Sequence, residues 1–168
     1  MASLSKAINK NFFESVLPTF GNPRVSLPTW DNSQRMFISK EYESAKGNRY
    51  YDGIRFSDRI VIVEHVGLYH TWTYIDGIEL YAFNGKKLEL IQKREYDKVF
   101  RSESFVRSES ESMVRDYLAG MLKMNNASIS EDELAQEAKS LVDDCYKSFL
   151  DDDFNNRFIQ ILPTLKLQ

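Results

Sequence analysis

The chain has 168 residues, a length that one domain fills comfortably and at which roughly 70% of the unfolded surface becomes buried. Its composition, 42% hydrophobic, 13% aromatic and 28% charged, excludes a disordered chain, and a formal charge of −3 excludes the strong basic excess that a backbone-tracking nucleic-acid surface needs. Cys145 is the single cysteine, so no intramolecular disulfide can form and a disulfide-stapled secreted fold is excluded.

Leu4, Ile8, Phe12 and Val16 recur every four residues, with Ser3 or Ser5 available as N-cap and Pro18 closing the run, which predicts an N-terminal amphipathic helix. The opening stretch carries no uninterrupted apolar run of the signal-sequence kind, and nowhere do about 18 apolar residues follow one another. A cytoplasmic setting without a membrane is expected. Residues 18–34 hold Pro18, Pro23 and Pro28 with Gly21, Asn22, Asp31 and Asn32 between them, which predicts an ordered loop pinned by Phe20 and Trp30. A short strand is expected at Arg35–Ser39, then a polar connection through Glu41–Asn48.

The middle of the chain is rich in β-branched and aromatic residues, and the dipeptides Asp76-Gly77 and Asn84-Gly85 supply the positive φ that tight hairpins demand. Strands near 59–66, 69–75, 78–83 and 87–93 form a meander on this reading. Past Phe100 the apolar period lengthens. Met113, Tyr117, Met121 and Met124 mark a helix opening at a Ser108-x-x-Glu111 capping box, and Ser130-Glu-Asp-Glu133 opens a second, with Leu134, Ala138, Leu141, Cys145 and Phe149 on one stripe. A short last helix is expected over Phe154–Leu162, with Asp153 as its N-cap. The sum is an α+β fold: an antiparallel β-meander of about four to five strands across residues 35–93, one N-terminal helix, and two to three C-terminal helices packed on one face, in a single domain spanning 1–168.

Candidate chemistry is sparse. His65 and His70 lie five apart with Glu64 adjacent, but no further ligand stands at a recognised spacing, so neither a metal nor a cofactor is expected. Partly buried or surface histidines are the plainer reading. His70, Trp72 and Tyr74 alternate onto one strand face, and with Tyr81 they form either part of a packed core or an aromatic platform for a protein partner. Such a platform could also stack single-stranded bases, yet Glu89, Glu95 and Asp97 interrupt the positive charge of Lys86, Lys87, Lys93, Arg94 and Lys98. Residues 100–153 carry 6 basic and 13 acidic groups, net −7, which further disfavours nucleic acid. The repeated phrase Arg101-Ser-Glu-Ser and Arg107-Ser-Glu-Ser reads as a polar linker ending in a capping box, with a phosphorylated switch as the sharper alternative. Glycine-rich phosphate loops and the G-x-S-x-G elbow are absent.

The expectation is therefore a non-catalytic interaction protein, adaptor or inhibitor-like, whose aromatic sheet face or edge binds a partner or a second copy of itself as a homodimer. The competing expectation is a small-ligand binder or enzyme with a pocket between sheet and helices, using His70, His65 or Glu64 to handle protons.

Overall fold

The computed structural model describes residues 29–39, 41–57, 59–84, 88–126, 128–148, 150–153 and 156. Among them, seven strands form one antiparallel sheet: β1 (Thr29–Asp31), β2 (Met36–Ile38), β3 (Tyr42–Glu43), β4 (Arg49–Phe56), β5 (Ile60–Tyr69), β6 (Trp72–Phe83) and β7 (Leu88–Phe100). Two helices follow, α1 (Glu103–Met124) and α2 (Glu131–Ser148). The spatial order is β1, β2, β4, β5, β6, β7. β3 also lies on β4: the pairs Phe37 with Ile54 and Tyr42 with Tyr50 set β2 and β3 end to end along one edge of that strand.

The α+β class and the antiparallel meander expected from the sequence are present, but the strand count is seven rather than four to five. Three of the added strands occupy stretches whose composition spoke against them. β1 lies within the proline-rich segment, β3 within the polar connection, and β4 begins where that connection was expected to end. β1 and β2 are joined by a tight turn that Asp31 holds: its Oδ1 accepts from the backbone N–H groups of Ser33 at 2.9 Å and Gln34 at 3.0 Å. Such Asx turns let a four-residue connection stand without glycine, although Arg35 must then adopt φ +53. The expected N-terminal helix, Phe20, and the last helix over Phe154–Leu162 lie outside the described residues apart from isolated positions.

The hairpin turn expected at Asp76-Gly77 is overturned. β6 runs straight through it, and the chain reverses instead at His70-Thr71, where Tyr69 pairs with Trp72 across a two-residue turn. Between the pairs Ile75 with Val99 and Gly77 with Glu95, β6 contributes one residue and β7 contributes three, so the Asp-Gly pair marks a bulge rather than a turn. The second expected hairpin does join β6 to β7, with Phe83 opposite Leu88, and residues 85–87 at its tip fall outside those described.

Alternation sends Ile60, Ile62, Val66, Ile78 and Leu80 to one face, where they meet Val106, Met113 and Val114 of α1 and Ala138, Leu141 and Cys145 of α2. Burying each such aliphatic side chain contributes about 1.5–3 kcal/mol. Cys145 is fully buried on the stripe its spacing predicted, and burial pushes its thiol up to about 12. The other face is also dry at the β2 end: Phe37, Ile54, Phe56, Val61 and Val63 are buried, with the Phe37 and Phe56 rings 6.0 Å apart.

α1 starts earlier than expected. Ser108 and Glu111 lie inside the helix, and the cap is Ser102, extended in its backbone, whose side-chain oxygen accepts the Phe105 N–H at 3.2 Å. Glu111 instead pairs with Arg115 one turn on, at 3.0 Å. Ser130 caps α2 as the sequence indicates, accepting from the Glu133 N–H at 3.1 Å. Ser102→Ala is expected to cost about 1 kcal/mol, read as a lower urea midpoint, because a first-turn N–H loses its acceptor; an unchanged midpoint would show that water replaces the cap at no cost.

Candidate functional site

The two sheet faces carry different polar clusters, and both are assembled by cross-strand pairing. On the face opposite the helices, Asp52 of β4 stands directly across from His65 of β5, and Glu79 of β6 lies two pairs further along, opposite Val63. His65 Nδ1 is 2.8 Å from Asp52 Oδ1, and Nε2 is 2.7 Å from Glu79 Oε1. Carboxylates only accept, so both ring nitrogens must donate and the ring is an imidazolium. Burial works against that charge, but the hydrogen bonds and negative charges of Asp52 and Glu79 outweigh it and raise the histidine from 6.5 to about 9. Burial likewise works against the Glu79 carboxylate, and the bonds from His65 and Tyr81 outweigh it, holding that group below its ordinary range.

Two tyrosines close the row. Tyr42 donates to Asp52 Oδ1 at 3.0 Å, and Tyr81 donates to Glu79 Oε2. Lys93 Nζ stands 3.9 Å from Glu79. Above the row is an open cavity of about 480 Å³ reached by His65, Tyr42, Tyr50, Lys93 and Tyr96. With both nitrogens donating, His65 has no lone pair to offer as a base, and the row acts as a strut joining three strands. Among the described residues no group of three His, Cys, Asp or Glu has metal-holding geometry.

On the helix face Glu64 is completely buried between two arginines: its Oε2 is 3.2 Å from Arg55 Nε and its Oε1 3.1 Å from Arg101 Nε. Adjacent in sequence, Glu64 and His65 therefore point to opposite sides of the sheet. The proton-handling group considered from the sequence, His70, His65 and Glu64, is not brought together, because His70 sits in the β5–β6 turn with φ +55.

The same turn rearranges the expected aromatic platform. Trp72 and Tyr74 do share a face, as alternation required, but His70 has left the strand and Tyr81 is buried on Glu79. Tyr69 and Phe100, not singled out from the sequence, take their places: Tyr69 pairs with Trp72, and Phe100 with Tyr74. Tyr69, Trp72 and Phe100 are 62%, 65% and 67% exposed, which makes this end of the sheet an open aromatic patch. Tyr74 anchors it inward. Its ring lies across Gly67, where a Cβ would come within 2.0 Å, and it meets Tyr50 edge-on at 6.2 Å, while Lys98 Nζ sits 5.7 Å from its centroid. A recess of about 380 Å³ opens among Tyr69, Trp72, Tyr74, Lys98 and Phe100.

None of the described helices is long and apolar enough to cross a membrane. Compared with protein-family models, with curated proteins and with solved structures, the chain matches none of them.

Proposed function

We propose that the chain is a non-catalytic protein-interaction module, of adaptor or inhibitor type, that receives an apolar segment of a protein partner at the aromatic end of the β5–β6 hairpin. The carrying observation is the exposure of Tyr69, Trp72 and Phe100 around one recess. Large aromatics left in water together forgo burial that isolated ones would not, and contiguous exposed apolar surface of this kind marks interaction sites. Tyrosine and tryptophan are also the side chains that most often carry binding energy, since they offer much area for few rotatable bonds. Lys98, 5.7 Å from the Tyr74 ring centroid, supplies a cation beside the recess. Glu95 and Asp97 lie between Lys93 and Lys98 on β7, a mixed pattern that suits a protein surface better than a phosphate backbone.

The test compares the chain with Trp72→Ala and Phe100→Ala in a pull-down from native lysate, with molar mass measured in solution alongside. A partner retained by the unaltered chain is expected to be lost from both variants, each substitution costing about 2 kcal/mol or more of binding, with circular dichroism unchanged. A halved molar mass in the variants would identify the occupant as a second copy. Identical retention and mass in all three proteins would remove the aromatic end as the binding surface.

A further inference from the structure

A third cavity, of about 380 Å³, lies on the helix side where the β1–β2 turn, β4, the start of α1 and the end of α2 converge. Four of its lining residues are arginines from four places in the chain: Arg35, Arg55, Arg101 and Arg107. Tyr146 of α2 stands among them, its ring 4.4 Å from the Arg55 guanidinium carbon and 4.1 Å from that of Arg107. Tyr146 is 4% exposed, and its buried hydroxyl has no hydrogen-bond partner among the described residues. A buried hydroxyl without a partner is costly, and it asks for an explanation in a group that the protein itself does not supply.

Among the described residues Glu64 lies between Arg55 and Arg101, Glu103 pairs with Arg107 at 3.3 Å, and Asp152 pairs with Arg35 at 3.2 Å. The last two pairs are surface contacts, with Glu103 60% and Asp152 81% exposed, so they hold their arginines weakly and an entering anion can displace them. Arg101 spends its Nε on Glu64, and among the described residues its Nη2 reaches the Met36 sulfur at 4.0 Å, a weak acceptor. Guanidinium forks that converge in this way match the oxygens of a tetrahedral oxyanion, two to a fork.

We propose that this cavity binds the phosphate group of a small phosphate monoester, with Arg101 and Arg107 as its principal charged donors and the Tyr146 hydroxyl as the neutral donor that completes its shell. A dianion suits a site that is left with several positive charges once Glu103 and Asp152 are displaced. The volume leaves room beyond the phosphate for a small organic group, at the lower end of the range for ligand pockets. The aromatic end lies elsewhere on the sheet and shares none of these residues, so the two proposals stand or fall separately.

The test is calorimetric titration of the full chain at fixed ionic strength with inorganic phosphate, with a hexose monophosphate and with succinate, repeated on Tyr146→Phe and Arg107→Gln. Saturable one-to-one binding of phosphate or the sugar phosphate is expected, weakened about tenfold or more in each variant, since a hydrogen bond to a charged group accounts for that factor. Tyr146→Phe removes an unpartnered polar atom, so its melting temperature without anion is expected to match or exceed that of the unaltered chain while the rise on adding phosphate shrinks. That split separates binding from folding. Tighter binding of the hexose monophosphate than of phosphate would assign the remaining volume to an organic group, and equal binding would restrict the site to the phosphate. Succinate binding as tightly as phosphate, or equal affinity in the unaltered chain and both variants, would overturn the proposal.

Discussion

Glu64→Gln is expected to destabilise the fold by about 3–5 kcal/mol, seen as a lower urea midpoint with an unchanged slope. The substitution alters almost no volume, so the loss isolates charge. Glu64 is fully buried at the middle of β5, and its two oxygens each bridge to a different arginine at 3.2 and 3.1 Å. Removing its charge leaves two guanidiniums close together in a region that water cannot easily reach, and their repulsion and desolvation are then uncompensated. Arg107→Gln is the built-in comparison. It breaks the exposed pair with Glu103 on the first turns of α1 and is expected to change stability by less than about 1 kcal/mol. A Glu64→Gln effect no larger than that of Arg107→Gln would mean that the buried carboxylate does not hold the arginines together.

The second large effect concerns pH. His65 is raised from 6.5 to about 9, so the folded chain keeps a proton that the unfolded chain gives up. Stability from this source is fully present below pH 6.5 and is lost as pH rises through about 9, a decline of about 3 kcal/mol across the window. Glu79, held below its usual 4.5, acts with the opposite sign: its contribution is present above 4.5 and disappears as pH falls through the lowered value. The row is therefore firmest between about 4.5 and 6.5. His65→Gln is expected to lower stability at mildly acidic pH, because Asp52 and Glu79 then lose the cation between them, and to flatten the alkaline decline. Urea melts over that window read both effects, and a variant that keeps the alkaline slope of the unaltered chain would show that another group is responsible.

These two clusters also explain which parts of the fold could be read from the sequence. β5 was legible because Ile60-Val-Ile-Val is apolar whatever its neighbours are. α2 was legible because Ser130 and the stripe from Leu134 to Cys145 carry their own start and spacing. β4 was not. It reads Arg49-Tyr-Tyr-Asp-Gly-Ile-Arg-Phe, and a strand with Asp52, Gly53 and Arg55 at its centre resembles a surface turn when taken alone. Its charges are buried because His65 and Glu64 of the next strand neutralise them, and Gly53 is required because a Cβ there would lie 2.8 Å from the Met36 sulfur. Both facts belong to pairs of strands, and no single segment records them.

The candidate sites divide in the same way. Trp72 and Tyr74 share a face by simple alternation, whereas the displacement of His70 and the arrival of Tyr69 and Phe100 depended on locating the turn at His70-Thr71, inside the stretch 69–75 expected to be a strand. The repeat Arg101-Ser-Glu-Ser and Arg107-Ser-Glu-Ser was visible, but its meaning rested on α1 beginning at Ser102, which sets both arginines beside Arg55 and Tyr146. Arg35 reaches the same place from the turn that the Asp31 side chain holds.

β7 is 13 residues long and, among the described residues, has no strand on its outer side. A margin of that length offers a row of vacant amide and carbonyl groups, and in many proteins it would recruit another chain into a growing fibril. Two devices oppose this here: Lys93, Glu95, Asp97 and Lys98 fringe it with charge of both signs, and the kink around Lys98, at φ +49, spoils the straight register that stacking needs. Replacing those four side chains by threonine would strip that fringe, together with the Lys93 contact to Glu79 and the Lys98 contact to the Tyr74 ring, and is expected to favour edge-to-edge association.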